Sequence, residues 1–490
     1  MKKLAIVFFA AFSLSAQAQT NVFLDQGFWK SNPDTVAIQA EITKGNSPSQ
    51  LNANSFDAVV TAINANTPFQ NVKFLLNQKG NDVNKLTHDG RTYIFWAASR
   101  GNVELMEYLI SKGAKVNMVD NHGYSVANFA AVGGQQDTKV YDLCLKNGAN
   151  LKKDLTSEGA NALLLGVAND KDFALTNYFV SKGLDIKSVD AEGNTAFNYA
   201  TKSGNIPLLK SLINKGVKFN DNAMILASAG SRSGSNTLEV YQYLESLKIK
   251  PGVVNKNGQN ALHAIVRRPK QQEIIKYFIS KGADINQIDN EGNTPFMNAA
   301  ASNPDVELIT MLSSSVKDIN LVNKKGVSAL AMAVRGNTPE VVDLLLSKGA
   351  NLNVVDAAGD NIAAYLIQSY SPQRAEVFTG KMNLLQTKGL DLASAQQNGN
   401  TLYHIALAKN DLALIKSLEA LKLDVNAKNK EGMTVLHKAA MTAKDDRILK
   451  YLVSIGAKKE IVTEFKETAF DLAGENEFLS KNSVSIDFLK

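Results

Sequence analysis

The sequence predicts an all-α solenoid in which helix-turn-helix units stack on one another and carry short extended hairpin arms. Three observations predict this fold. Similar phrases recur along the 490-residue chain, such as NEGNTPFMNAA at 290–300 and KEGMTVLHKAA at 430–440. The glycine that stands two places before the Thr-like residue of this phrase recurs at a nearly fixed spacing. Each period also contains two stretches whose apolar residues have helical spacing, which is typical of a repeat protein.

The marker glycine defines a period of about 33 residues. Successive markers are separated by 33, 36, 34, 65, 34, 34, 33, 40 and 33 residues. The spacing of 65 is close to two periods, so one repeat lacks its marker, and the spacing of 40 is one period with an insertion. We therefore expect about 12 repeats plus degenerate ends. The markers are Gly90, Gly123, Gly159, Gly193, Gly258, Gly292, Gly326, Gly359, Gly399 and Gly432.

Each period predicts a turn, a first helix, a second turn and a second helix. In residues 89–119, Thr92 is placed to cap the first helix with its hydroxyl. The RGN of 100–102 ends that helix, and VELMEYLIS begins an amphipathic second helix. Gly113 then ends the second helix in the left-handed region. A unit of this size cannot bury its own apolar face, so it stacks on a copy of itself.

This pattern resembles the ankyrin repeat, and the resemblance covers most of the chain. The T-P-L-H-x-A-A phrase of that family appears as TPFMNAA at 294–300, TVLHKAA at 434–440 and TLYHIAL at 401–407. Its second-helix ending appears as FISKGADIN at 278–286 and LLSKGANLN at 345–353. The resemblance implies an ankyrin solenoid that binds other proteins through its turn tips and the concave surface of its first helices.

The first eighteen residues predict a secretory signal peptide. Lys2 and Lys3 precede a short apolar run, and AQA at 16–18 places small residues at the cleavage site. We expect cleavage after Ala18 and a periplasmic protein, with secretion as the alternative. No later run of about 18 apolar residues predicts a membrane span.

The remaining chain divides by how regular its repeats are. Two segments predict irregular structure on the edge opposite the turn tips, namely 228–236 and 369–380. The predicted segments are degenerate repeats at 19–89, repeats at 90–220, an irregular repeat with a shortened arm and an insertion at 221–257, repeats at 258–465 and a capping repeat at 466–490.

Composition excludes several classes of function. Without residues 1–18 the charge is 51 − 47 = +4, too mild for a nucleic-acid binder of this length. Cys144 is the only cysteine, so no internal disulfide can form, and a buried position is expected for it. We expect a monomer whose stability comes from packing.

No arrangement of residues predicts catalysis, a cofactor or a metal site. The sequence has no nucleophile elbow, phosphate-binding loop or dinucleotide fingerprint. His88 and His122 lie on adjacent turn tips without a third ligand nearby. The family resemblance implies that His263, His404 and His437 tie neighbouring repeats together through backbone hydrogen bonds. The predicted function is a non-enzymatic interaction scaffold; the alternatives are an enzyme or small-ligand carrier in an irregular repeat, or an immunity or antitoxin protein.

The residues that follow each first helix predict a binding surface. Two residues follow the last alanine-like position of each first helix, and the resemblance puts them on the concave side. Six of these residues are basic and none is acidic. They either attract an acidic partner into the groove or stabilise the negative, C-terminal end of the first helix. The sequence leaves both explanations open. The six candidates are Arg100, Lys202, Arg267, Arg268, Arg335 and Lys409.

Overall fold

The computed structural model describes residues 21–231 and 234–490. These residues form twenty-eight α-helices, eight short 3-10 helices and isolated β-bridges, with no longer strand among them. The predicted all-α fold class is therefore confirmed. The predicted signal peptide and its cleavage site lie outside the described residues.

The chain divides into two compact units, and the boundary in the sequence falls between Ala223 and Met224. The helices of the N-terminal unit are α1 Gln26–Lys30, α2 Thr35–Thr43, α3 Ala58–Asn64, α4 Phe69–Leu76, α5 Tyr93–Arg100, α6 Val103–Ser111, α7 Val126–Val132, α8 Thr138–Lys146, α9 Ala162–Gly166, α10 Ala174–Ser181, α11 Ala196–Ala200 and α12 Ile206–Asn214. Helix α13, Asn222–Ala229, spans the boundary. The C-terminal unit continues with α14 Leu238–Ser246, α15 Leu262–Ile265, α16 Gln272–Ser280, α17 Pro295–Ser302, α18 Val306–Ser313, α19 Ala329–Gly336, α20 Pro339–Ser347, α21 Ile362–Gln368, α22 Ala375–Thr387, α23 Leu402–Ala406, α24 Leu412–Ser417, α25 Val435–Thr442, α26 Arg447–Ser454, α27 Ala469–Glu475 and α28 Glu477–Lys481.

Odd-numbered helices are the first helices of their repeats and even-numbered helices are the second. Twelve successive pairs, from α3 and α4 to α25 and α26, have the repeat layout among the described residues. The pairs α1 and α2, and α27 and α28, lie at the two ends. In the segment predicted as degenerate repeats, α1 precedes α2, so a helix pair also lies before α3.

In most repeats the residue before the first helix caps that helix with its side chain, as the sequence predicts. Thr294 Oγ1 accepts a hydrogen bond from the Met297 amide at 3.2 Å, and Ser125 Oγ accepts one from the Asn128 amide at 3.2 Å. Such a cap stabilises a helix by about 1 kcal/mol. At Thr92 the prediction is wrong, because its hydroxyl makes no cap bond and lies 3.8 Å from the sulfur of a methionine in the next arm.

Paired alanines let neighbouring first helices approach one another. Ala299 and Ala300 in α17, like Ala439 and Ala440 in α25, are at most 2% exposed. A larger side chain at these positions would push adjacent first helices apart, which typically costs about 1–3 kcal/mol.

The marker glycine allows successive arms to touch. Gly292 has a φ of 84°, and a Cβ on it would lie 2.8 Å from the backbone nitrogen of Lys324 in the next arm. That nitrogen donates to the Glu291 carbonyl at 3.0 Å, which ties the two arms together. Both the left-handed backbone and this close approach therefore require glycine here.

The irregular repeat lacks a projecting arm. Only residues 217–221 separate Gly216 from α13, and no turn tip forms among them. Instead Asn220 donates from its side-chain amide to the carbonyl of Gly193, the marker glycine of the preceding arm, at 2.8 Å. A side chain thus replaces the backbone contact that a full arm provides.

The insertion at 369–380 is more regular than the sequence suggests. After a 3-10 turn at Pro372–Arg374, the chain enters the thirteen-residue helix α22. Phe378, Met382 and Leu385 are buried, and their spacing of four and three residues places them on one face of this helix. Part of the insertion therefore lengthens the second helix α22, and only the residues before it are irregular.

Candidate protein-binding surface

Two of the predicted basic residues bind the helix end of the preceding repeat. Lys409 Nζ donates to the carbonyl of Gln368, the last residue of α21, at 2.9 Å. Arg268 donates to the carbonyl of Ala229, the last residue of α13, and to Ser235 Oγ at 2.9 Å. The final carbonyls of a helix have no partner within the helix and carry its negative end, so a cation stabilises them.

Arg100 has a related position. It ends α5, and its Nε donates to Oδ1 of Asn64, the last residue of α3, at 3.2 Å. In these repeats a cation at the end of one first helix reaches back to the end of the previous one. This geometry supports the helix-end explanation for Arg100, Arg268 and Lys409.

Lys202 is also held by its own surroundings. Its Nζ lies 4.9 Å from the centre of the Tyr199 ring, which is within the range of a cation–π contact. Burial lowers the pKa of Lys202, while the nearby carboxylates of Asp190 and Glu158 oppose that change. Tyr199 in turn donates to Asp190 Oδ2 at 2.9 Å, so the lysine sits within a polar cluster of the N-terminal unit.

Arg267 and Arg335 remain available to solvent. Both side chains are exposed, and neither forms an ion pair or hydrogen bond with another described residue. Arg335 lies 5.8 Å from the Tyr365 ring. Arg267 lines an open cleft of about 400 Å³ together with Asp289 and Asn298. The six predicted residues therefore do not form one equivalent set. Three of them form hydrogen bonds to the preceding repeat, Lys202 and Arg335 lie over tyrosine rings, and Arg267 has no hydrogen bond or ion pair with a described residue.

The three histidines of the T-P-L-H position tie repeats together, as the resemblance implies. His404 Nδ1 accepts from the Thr401 amide at 3.2 Å, and its Nε2 bonds the Met433 carbonyl in the next repeat at 3.1 Å. His437 bonds the Ile461 carbonyl at 2.9 Å in the same way. The pKa of His263, His404 and His437 is lowered by burial, which favours the neutral ring that these bonds require.

The two histidines on the turn tips share one carboxylate. His88 Nε2 and His122 Nε2 lie 3.3 Å and 3.2 Å from Asp89 Oδ2. Burial opposes the charged form of Asp89, but His88 and Arg91 outweigh that effect and hold its pKa below the usual value. Among residues 21–231 and 234–490, no group of three or more His, Cys, Asp or Glu side chains fits a metal ion.

Sequence reasoning missed a ladder of buried amides in the C-terminal unit. Asn303 donates to the carbonyl of Val266, six residues after the cap position of the previous first helix, at 2.8 Å. Asn337 and Asn476 make the same contact to Ala300 and Ala440, both at 2.9 Å. The signal in the sequence is an asparagine that begins the second turn of these repeats.

In one repeat a lysine replaces that asparagine. Lys381 of α22 is 2% exposed, and its Nζ donates to the equivalent carbonyl, that of Val334, at 2.6 Å. Burial, helped by the nearby charge of Arg374, lowers the pKa of Lys381 to about 8. The inserted helix therefore buries an ammonium where neighbouring repeats bury a neutral amide.

A second cleft in this unit does not gather free catalytic groups. It encloses about 540 Å³ and is lined by His404, Glu431, Lys438 and Met441 among others. Both ring nitrogens of His404 are committed to the contacts described above. Glu431 and Lys438 pair with each other at 3.6 Å. The titratable side chains of this cleft are thus explained by the packing of repeats.

Comparison with known proteins agrees with this architecture. Profiles of ankyrin repeats match residues 58–154, 192–221, 224–313, 296–378 and 384–453. Alpha-latroinsectotoxin-Lt1a of Latrodectus tredecimguttatus is 25% identical over 311 residues, which cover 61% of this chain and 22% of the toxin. Ankyrin repeat protein B19 of Vaccinia virus (strain Western Reserve) is 23% identical over 314 residues, which cover 63% of this chain and 48% of the viral protein.

A solved structure with the same kind of repeat is the ankyrin repeat domain of Bcl-3, a member of the IkappaB protein family. It is 19% identical, covers 46% of this chain and all of its own length, and has a TM-score of 0.35. Within the described residues, no helix is long and apolar enough to cross a membrane. The helix pairs, the tied arms and the profile matches over more than half of its length lead to one conclusion: this chain belongs to the ankyrin-repeat family.

Proposed function

We propose that this protein is a non-enzymatic interaction scaffold that is exported to the periplasm and binds another protein through its arms and first-helix ends. Ankyrin repeats are generally protein–protein interaction modules and generally lack catalytic activity. The observation that carries the proposal is the contrast between Arg100, Arg268 and Lys409, which form hydrogen bonds to the preceding repeat, and Arg267 and Arg335, which form none with described residues. Arg267 and Arg335 remain exposed and unpaired among the described residues.

The proposed partner presents an acidic surface to these two arginines. The guanidinium group forms paired hydrogen bonds with carboxylates, so Arg suits such a contact better than Lys. Attraction between exposed charges increases the rate of association and weakens as the salt concentration rises.

The test is a charge reversal at both positions, Arg267→Glu with Arg335→Glu. The matched control is Lys276→Glu with Lys348→Glu, which makes the same change of charge at one exposed position on the second helix α16 and one directly after the second helix α20. Each protein is used to capture partners from a periplasmic extract, after circular dichroism has established that it is folded. We expect the first variant to lose at low salt a partner that the wild type and the control retain. Equal capture by all three proteins would contradict the role of the arginines.

Export is tested separately by mass spectrometry of the protein recovered from the periplasm. Cleavage after Ala18 leaves Gln19 as the first residue, in agreement with the small residues at 16–18. Recovery of a chain that still begins at Met1 would refute this part of the proposal.

A further inference from the structure

A row of exposed aliphatic side chains follows the arms of the C-terminal unit. It contains one residue from each of four consecutive repeats, always six places before the cap position of the first helix. We call it the aliphatic row. These side chains are between 42% and 50% exposed, although their type usually lies in the core. The members are Val254, Ile288, Val322 and Val355.

The regular geometry of the arms places these side chains in line. The backbone nitrogen of Asn290 donates to the Asn257 carbonyl at 2.8 Å, which joins the first two arms. Equivalent bonds of 3.0 Å and 2.9 Å join the third and fourth arms to the ones before them. Since each row residue directly precedes the residue that closes its hairpin, all four have the same place in the arm.

One member of the row also opens into a cleft between two arms. Ile288 lines a cavity of about 270 Å³ together with Phe296, Met297, Ile319 and Leu321. This cavity lies beside the junction of the second and third arms. The row therefore offers a line of aliphatic contacts and one recess into which an apolar side chain can insert.

We propose that the aliphatic row binds an acidic amphipathic helix whose apolar residues recur every seven positions. This inference rests on the proposed function and names the class of partner. Helices packed side by side are separated by about 8–10 Å, which sets the distance between successive row residues. Seven residues of an α-helix rise about 10.5 Å, so one apolar residue per heptad meets one residue of the row.

Other peptide conformations fit this surface less well. A β-strand spans the distance in about three residues, but its side chains alternate between faces, so successive anchors would point in opposite directions. A polyproline helix has a suitable repeat, yet such ligands typically dock on aromatic grooves, whereas this row is aliphatic. A helix that lays its apolar stripe along an apolar surface is the recognition mode that matches.

The exposed area favours a single segment over a second copy of this chain. Four half-exposed aliphatic side chains offer on the order of 300 Å², whereas a stable interface buries about 800 Å² on each partner. The charge beside the row favours an acidic segment. Three exposed lysines of the third arm, Lys317, Lys324 and Lys325, outnumber its exposed carboxylate, Asp318, and form no ion pair with described residues. Carboxylates on the polar face of the bound helix would lie near these lysines.

The experiment uses the full chain and a labelled synthetic peptide of about 25 residues, which spans the four arms as a helix. The peptide carries leucine at every seventh position and glutamate on the opposite face. Binding is measured by fluorescence anisotropy, and helix formation by circular dichroism. We expect saturable binding that weakens at high salt, while a peptide of the same composition in scrambled order does not bind at the same concentrations.

The decisive variant is Val322→Asp, which places a carboxylate in the middle of the row. The control is Ile279→Asp, because Ile279 is 38% exposed on the second helix α16 and does not belong to the row. We expect at least tenfold weaker binding for Val322→Asp and unchanged binding for Ile279→Asp. Val355→Asp serves as a second row variant if circular dichroism shows that the first one is unfolded. Equal affinities for row and control variants would overturn the proposal.

The other occupants are separate outcomes of this experiment. Tighter binding of a proline-rich peptide with leucine at every third position would overturn the helical assignment. Sedimentation that shows a dimer abolished by Val322→Asp would identify a second copy instead. If the helical peptide fails while the charge-reversal experiment still shows loss of an acidic partner, this inference is wrong and the proposed function survives.

Discussion

Within each unit, hydrogen bonds between side chains tie neighbouring arms together. The positions of these bonds are the same in the two units, but the groups that form them differ. In the N-terminal unit, Arg91 Nε donates to Asp120 Oδ2 at 2.7 Å, and both side chains are buried. In the C-terminal unit the equivalent positions hold Asn293 and Asn323, and the Asn323 amide donates to Asn293 Oδ1 at 2.9 Å. One tie is an ion pair and the other is a bond between neutral amides.

This difference shows that the repeat geometry dictates where a tie forms but not which groups form it. A buried ion pair gains little over an uncharged pair while it is intact, because removing two charges from water is costly. Its loss is more serious, since Arg91 stays buried and keeps only Asp89, 3.1 Å from its Nη1, as a carboxylate partner. The N-terminal unit should therefore be more sensitive to the removal of one partner.

The H position of the family phrase gives a second contrast. In the C-terminal unit it holds His263, His404 and His437, whereas two repeats of the N-terminal unit hold Asn128 and Asn198. Asn128 donates to a carbonyl of the following arm at 2.7 Å, which is the same kind of tie that the histidines make. Amides do not titrate in the physiological range, so at this position only the C-terminal unit carries a group that responds to mild acid.

The largest expected effect is the loss of the buried ion pair. Asp120→Ala should lower the free energy of unfolding of the N-terminal unit by about 3 kcal/mol, because the buried Arg91 then keeps only the partly exposed Asp89, at 3.1 Å, as a carboxylate partner. Asn323→Ala is the matched change in the C-terminal unit and should cost only about 1 kcal/mol. Denaturant unfolding combined with hydrogen exchange assigns each loss to its unit. Similar losses at the two positions would remove the contrast between them.

The next effect concerns the buried lysine of the C-terminal unit. The pKa of Lys381 is about 8 in the folded protein and 10.5 for an ordinary lysine, so the unfolded chain binds more protons between these values. Stability should therefore rise with pH in that range, by about 2 kcal/mol between pH 8 and 9.5.

Lys381→Met removes the group that titrates. The difference in unfolding free energy between this variant and the wild type should change with pH over that range, and other titrating groups cancel in the comparison. A difference that stays constant from pH 8 to 9.5 would show that Lys381 titrates normally.

A smaller effect follows from the histidines. Their pKa lies below 6.5 in the folded protein, so the unfolded chain binds more protons as the pH falls through 6.5. The stability they provide is complete above about pH 6.5 and declines below it, by at most about 1.4 kcal/mol per histidine for each pH unit. His437→Asn should reduce this acid sensitivity, because asparagine makes the tie at Asn128 without titrating.

The reciprocal variant Asn128→His should introduce acid sensitivity into the N-terminal unit. Hydrogen exchange at pH 7.5 and pH 5.5 measures both variants. Unchanged acid sensitivity in the pair would mean that other groups control the response to pH.

The smallest effect separates helix-end stabilisation from binding. Lys409→Met should cost about 0.3–1 kcal/mol, because it leaves the Gln368 carbonyl without its cation. Arg267→Met should leave the unfolding free energy within about 0.5 kcal/mol of the wild type, since surface changes away from such contacts are nearly neutral. Thermal unfolding in parallel compares them. A larger loss for Arg267→Met would show that this arginine supports the fold after all.

Much of the fold follows from local patterns, which explains why the sequence predicts it. The period, the helix pairs, the glycine at each arm and the tying role of His404 depend on residues within one repeat or its neighbour. The helical insertion was harder to predict, because Pro372 and the polar residues near it resemble a loop. The burial of Phe378, Met382 and Leu385 depends on the packing of α22 against α20 of the preceding repeat, which the local sequence does not reveal.

The candidate surface was predictable only in part. The position after the first helix is rich in basic residues, as the sequence shows, but their individual roles depend on what each side chain reaches. Arg268 and Lys409 bind carbonyls that lie 39 and 41 residues earlier in the chain, whereas Arg267 binds none among the described residues. Neighbours in sequence therefore differ in role because of contacts with the preceding repeat.

The sequence by itself determined the repeat, its period and the chain's membership of a solenoid-forming family, because each unit must bury the same apolar face against the next. Only the tertiary structure decided which polar side chains are used in that stacking and which remain exposed. Val322 and its equivalents illustrate the reason. An aliphatic residue in an extended arm has the same appearance in sequence whether it is covered or open, and its exposure depends on how closely the neighbouring arm approaches.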